Sequence, residues 1–134
     1  MTGQTAKMRP VWALMALILT LLPSLALAQY MDMMTLVGGI ASREFYRDAD
    51  RVSSVNAIRV ERISSLPGAQ FGRRRLDRML DAYPEAQRYL HEQLRFNPIA
   101  ARDIRAQGFE IVDIVYLVVA GDGGTTVYAD DLGT

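Results

Sequence analysis

An apolar segment near the C-terminus, followed by a glycine-rich turn, most constrains the fold of this chain. Ile111 to Ala120 is apolar and rich in β-branched residues, and its length and composition favour a strand over a helix. Gly121-Asp122-Gly123-Gly124 predicts a turn, and Thr125 to Ala129 predicts a returning strand. We therefore expect a C-terminal β-hairpin, with Ile111–Ala120 as the central strand of its sheet.

A further strand and three helices are predicted before the hairpin. In Asn56–Ile63, apolar residues alternate with charged ones, which is typical of a half-buried strand. Pro84 and Asn97-Pro98 mark helix starts, and Gly108 marks a helix end with Phe109 placed to contact Ile104. The helix before Pro84 carries apolar residues at helical spacing on one face, namely Leu76, Met79, Leu80 and Tyr83.

These elements predict an α+β domain over residues 55–134. It consists of a three-stranded sheet with helices on one face, in the order β-α-α-α-β-β. The stretch that follows the first 28 residues, about 100 residues long, suffices for one small domain and not for two. The chain has no cysteine, so this domain must be held together by its apolar core without disulfides.

The first 28 residues have the order of a secretory signal. Lys7 and Arg9 precede an apolar run from Val11 to Leu22, and Ala26-Leu27-Ala28 matches the small-x-small pattern of a cleavage site. The run is short for a membrane span, which needs about 20 apolar residues. We expect a signal peptide at 1–28, a periplasmic or secreted protein and only transient membrane contact; an uncleaved anchor is the alternative.

Residues 29–54 are expected to form a flexible leader. Ser42 could cap a short helix through Val52, but the apolar spacing favours little order. Met31, Met33 and Met34 could supply thioether ligands to copper(I), although three methionines also occur in flexible segments without such a role.

Composition excludes several function classes. Removing residues 1–28 leaves 13 arginines, no lysine and 15 acidic residues, and a net charge of −2 argues against a nucleic-acid binder. Without cysteine there is no thiol catalysis, and no Gly-x-Ser-x-Gly elbow is present. His91 is the single histidine and is expected on a solvated helix face. We expect a non-enzymatic protein with no cofactor and no metal.

The densest charge run of the chain is a candidate anion-binding site. It consists of Arg73, Arg74, Arg75 and Arg78, which could bind lipid phosphates or an acidic polymer. The alternative is a solvated helix face with Asp77 and Asp81 as counterions.

A second candidate surface follows from the apolar strand. Tyr116 and Val118 point to the face opposite Leu117 and Val119, and helices on one side would leave that face open. An exposed apolar patch usually marks an interaction site. The leading expectation is therefore a binding or interaction protein, with a homodimer or protein partner on this face. An envelope-associated module that binds anionic lipid or polymer is second, and an enzyme without a recognisable motif is third.

The segment from Asn97 to Tyr128 resembles small exported alphaproteobacterial proteins of unknown function. The matching residues are Gly108, Asp113-Ile114-Val115, Gly121-Asp122-Gly123 and Val127-Tyr128. The resemblance implies export and a compact fold, and it implies no activity.

Overall fold

The computed structural model describes residues 31–133, which contain five α-helices and a mixed three-stranded sheet. The α+β class and the C-terminal hairpin are confirmed. The helices are α1 (Met33–Gly39), α2 (Arg43–Val52), α3 (Ala69–Ala82), α4 (Pro84–Phe96) and α5 (Ala100–Ala106), and the strands are β1 (Arg59–Arg62), β2 (Ile114–Val119) and β3 (Thr125–Ala129).

Local signals place most helix ends where the sequence predicts them. The Ser42 hydroxyl accepts a hydrogen bond from the Phe45 N–H at 3.2 Å, which caps α2. Pro84 is the first residue of α4, where its missing N–H costs nothing. Gly108 has a φ of 95°, and the Phe109 N–H donates to the Ile104 carbonyl at 3.1 Å. This is the glycine stop expected at the end of α5.

The strand order is β1-β3-β2, so the prediction that the Ile111–Ala120 segment is central is wrong. β3 lies in the middle, parallel to β1 and antiparallel to β2. Residues 111–113 form a 3₁₀ turn, and the strand begins at Ile114. Ile114 to Leu117 are all buried, so both faces of β2 are covered although the strand lies at the edge of the sheet. Its sequence does not distinguish this position from a central one.

Side chains from two helices occupy the outer edge of β2. Arg51 of α2 donates to the carbonyls of Val119 at 3.5 Å and Ala120 at 3.3 Å. From α4, Gln87 donates to the Val115 carbonyl at 2.9 Å, and His91 Nε2 lies 2.7 Å from the Ile114 carbonyl. The strand has an irregular register between Ile114 and Tyr116. These contacts satisfy an edge that would otherwise be open to pairing with another chain.

The core contains side chains from all five helices and from the sheet. Leu117 and Val127 are fully buried in paired positions of β2 and β3. The helices contribute the fully buried side chains Leu76, Leu90, Leu94 and Ile104. Burial of each large apolar side chain stabilises the fold by about 1.5–3 kcal/mol.

The prediction of a flexible leader is wrong for the part that the structure describes. α1 and α2 fall within residues 29–54, and they bury Met33, Leu36, Phe45, Ala49 and Val52. The apolar residues of α2 recur at i, i+4 and i+7, which is a helical spacing. Asp32 caps α1 by accepting from the Thr35 N–H at 2.7 Å. The compact unit therefore begins at Asp32.

The predicted signal peptide lies outside the described residues, so export stays a prediction. Between residues 31 and 133, no helix has the length and apolarity needed to cross a membrane.

Candidate functional site

The four arginines of the predicted anion site divide into two groups. Arg73 turns toward the C-terminal tail: its Nε lies 3.3 Å from an Asp77 oxygen, and its Nη1 lies 3.7 Å from an Asp130 oxygen and 3.4 Å from the Gly133 carbonyl. These partners make Arg73 a structural anchor for the tail. Its guanidinium group is engaged by these partners, so Arg73 does not belong with the other three arginines as a candidate for anion binding.

Arg74, Arg75 and Arg78 lie on the solvent side of α3 together with Phe71. The four residues are at positions i, i+3, i+4 and i+7, so they share one stripe of the helix. The buried stripe of α3, which includes Gly72 and Leu76, lies on the other side. All four side chains of the solvent stripe are exposed, and Phe71 is 83% exposed.

The neighbouring helix α1 extends this surface by one residue. Met34 is 52% exposed, and its sulfur lies 3.3 Å from Arg75 Nη1. We call Phe71, Arg74, Arg75, Arg78 and Met34 together the arginine face. Within the described part of the chain, none of its three arginines forms an ion pair. The arginine face therefore combines exposed apolar side chains with three guanidinium groups that form no ion pair in the described region.

Tyr116 is buried at 7% exposure, so the expectation that helices leave it open is wrong. The centroid of its ring lies 6.0 Å from that of the Phe45 ring and 5.9 Å from that of the Tyr128 ring. Its hydroxyl group lies against Gly39, at the end of α1. Val118 is half-buried. Phe45 and Gly39 both belong to residues 29–54, the segment expected to be a flexible leader. Because they cover Tyr116, its side chain is not exposed for contact with a second copy of the chain.

Asp48 of α2 is a buried acid beside β2. Burial raises its pKa, while hydrogen bonding to the Val119 backbone opposes the shift. One of its oxygens, Oδ1, has no hydrogen-bond partner among the residues described. Burial also raises the pKa of Tyr116, and the nearby charges of Asp48 and Glu44 add to that effect. These groups are enclosed by α2 and the sheet and do not form an open site.

His91, Met33 and Met34 differ in their exposure to solvent. His91 is half-buried and touches the Ile114 carbonyl, so the expectation of a solvated histidine is wrong. Met33 is fully buried, whereas Met34 is exposed beside Arg75. Residues 31–133 contain no group of three or more histidine, cysteine or acidic side chains that could hold a metal ion.

Phe71 is the one side chain of α3 in the arginine face that the sequence analysis did not single out. Its spacing from the three arginines is visible in the sequence, because it falls on the same stripe as Arg74, Arg75 and Arg78. The apolar residues that define the buried side of α3 lie on the opposite stripe. An aromatic residue on the polar side of an amphipathic helix could therefore have been recognised from the sequence.

No family model, no curated protein and no solved structure matches the chain in comparisons with known proteins. The resemblance over Asn97–Tyr128 therefore stays a prediction, and function is argued from the site alone.

Proposed function

We propose that the chain is a non-enzymatic, exported binding protein that docks on anionic lipid surfaces of the cell envelope through its arginine face. The observation that carries this proposal is Phe71, a large aromatic side chain that is 83% exposed among three arginines without carboxylate partners in the described region. Export is supported by the signal pattern of residues 1–28.

The chemistry of the arginine face favours lipid over a soluble anionic polymer. Guanidinium groups bind phosphates with directed hydrogen bonds, and each basic residue near an anionic membrane contributes about 1 kcal/mol. Helices that lie on membranes place basic residues on the polar face and Phe, Leu or Trp against the acyl chains. Phe71 and Met34 supply such an apolar element, which a polymer of charged groups would not need.

The test measures binding of residues 29–134 to vesicles, since this stretch contains the whole compact unit that begins at Asp32. Vesicles of phosphatidylglycerol and phosphatidylcholine are compared with pure phosphatidylcholine by co-sedimentation at low and at physiological salt. We expect binding to the anionic vesicles alone, and we expect it to weaken as salt screens the charges. Replacing Arg74, Arg75 and Arg78 by Gln should weaken binding about 100-fold at low salt, from about 1 kcal/mol per residue.

A matched control removes the same charge from elsewhere. Arg88, Arg95 and Arg102 are exposed on α4 and α5, and their triple Gln variant should bind within about threefold of wild type if position on α3 matters more than net charge. Phe71→Ser should weaken vesicle binding about tenfold, from about 1–2 kcal/mol of lost apolar burial, and should leave binding to polyglutamate unchanged. The proposal would be overturned if the two triple variants lost the same affinity for anionic vesicles, or if Phe71→Ser bound these vesicles as tightly as wild type.

A further inference from the structure

A cleft at one end of the sheet is separate from the arginine face and from the buried tyrosines. It lies between the C-terminal end of α2, the loop that enters β1, and the hairpin turn between β2 and β3, and it has a volume of about 700 Å³. Ligand pockets generally measure about 300–1,000 Å³. The cleft is therefore large enough to hold a small organic molecule.

One guanidinium group is fixed at the wall of this cleft. Arg51 lines it and donates to the Val119 carbonyl at 3.5 Å and to the Ala120 carbonyl at 3.3 Å. A guanidinium group has five N–H donors, so others remain for a ligand after these two bonds. In the described region Arg51 forms no ion pair. The preceding helical turn holds Asp48, which is buried and does not line the cleft.

The other charged groups of the lining set the charge of the ligand. Arg59 also lines the cleft, and it pairs at 2.5 Å with Glu61, which lies outside the lining. The Asp122 carboxylate accepts from the Gly124 N–H at 2.9 Å in the turn. Two guanidinium groups and one carboxylate give the lining a net charge of +1, which suits a ligand with a single negative charge better than a cation or a doubly charged phosphate.

The remaining lining sets the shape of the ligand. Val55, Ala57 and Val119 give the cleft apolar walls, which favour an aliphatic body over a fully polar one. We propose that this cleft binds a small aliphatic monocarboxylate, with its carboxylate on Arg51 and its chain against these walls.

The test titrates residues 29–134, labelled with ¹⁵N, with butyrate, and it uses butylamine and inorganic phosphate as comparison probes. We expect saturable chemical-shift changes at the amides of Arg51, Val55 and Thr126 at millimolar butyrate. A Kd of about 1 mM corresponds to a binding free energy of about −4 kcal/mol. Arg51→Gln should weaken butyrate binding at least tenfold, and Arg88→Gln, an exposed arginine of α4, should leave it unchanged.

Each outcome decides the proposal. Because Arg51 also supports the edge of β2, a second variant is needed. Arg59→Gln removes one of the two positive charges of the lining, and its side chain contacts no backbone carbonyl in the described region, so it should weaken butyrate binding about threefold. Shifts that are equal for butylamine, tighter binding of phosphate than of butyrate, or no saturable shift with butyrate would overturn it. Vesicle binding through α3 does not involve these residues, so the two proposals stand or fall separately.

Discussion

Asn97 shows how one buried polar side chain can join two parts of the chain. It is 3% exposed. Its amide nitrogen donates to the carbonyls of Val52 at 2.8 Å and Val55 at 3.0 Å, and its side-chain oxygen accepts from the Ile99 N–H at 3.0 Å. The asparagine that the sequence marked as a helix start therefore also ties the end of α2 to the start of α5.

We predict that Asn97→Asp lowers the free energy of unfolding by about 3 kcal/mol or more. A carboxylate cannot donate, so both hydrogen bonds to these carbonyls would be lost and a negative charge would be placed against them. Urea unfolding followed by circular dichroism measures the change. Asn56→Asp makes the same replacement at an exposed position and should stay within about 0.5 kcal/mol of wild type. Similar midpoints for the two variants would mean that the amide contacts contribute little.

At the scale of elements, a buried glycine lets α1 pack closely on α3. A Cβ atom at Gly72 would overlap Met33 Cγ and lie 2.8 Å from Met33 Cε. The Met33 N–H also donates to the Pro67 carbonyl at 3.0 Å, just before α3. This contact makes the start of the predicted leader part of the folded core.

We expect Gly72→Ala to destabilise the protein although alanine is the better helix former. Helix propensity favours alanine by about 1 kcal/mol, but overpacking against Met33 costs about 1–3 kcal/mol. Gly38→Ala is the matched control, because a Cβ there meets nothing within 4 Å; it should be neutral or slightly stabilising. Thermal unfolding of both variants gives the comparison.

A double variant identifies the cause of that loss. With Met33→Ala in the background, the added methyl group at Gly72 has room, so Gly72→Ala should cost less there than in wild type. If Gly72→Ala is as harmless as Gly38→Ala, then α1 is not packed on α3 in this way.

At the scale of the whole molecule, two buried tyrosines link stability to alkaline pH. Tyr116 and Tyr128 are paired across β2 and β3 and are both buried. Burial raises the pKa of Tyr128 to about 12 from an ordinary value of 10.0, with further contributions from Glu61 and Tyr116. Between these two pH values the unfolded tyrosine loses its proton while the folded one keeps it. Rising pH therefore favours unfolding in this window.

We predict that stability holds below pH 10 and falls between pH 10 and 12, by about 1–3 kcal/mol from Tyr128. Tyr128→Phe should reduce this loss, because phenylalanine has no proton to release. Tyr83→Phe, at an exposed tyrosine, should leave the loss as it is. Urea midpoints at pH 9, 10 and 11 measure the effect, and parallel profiles for Tyr128→Phe and wild type would contradict it.

Sequence by itself determined the elements whose signals are local. The start at Pro84, the stop at Gly108 and the turn before Thr125 each depend on residues within a few positions of one another. The solvent-facing stripe of α3 with Arg74, Arg75 and Arg78 is of the same kind, because helical periodicity alone places it. For these features a pattern in the chain is enough.

Only the tertiary structure decided the strand order and which surfaces are covered. Arg51 contacts the Val119 carbonyl across 68 residues of chain, and Arg73 contacts the Gly133 carbonyl across 60. Neither contact leaves a local mark in the sequence. An apolar strand looks the same whether another strand or helical side chains occupy its edge. The burial of Tyr116 likewise depends on α1 and α2, which pack onto the sheet from a segment distant in the chain.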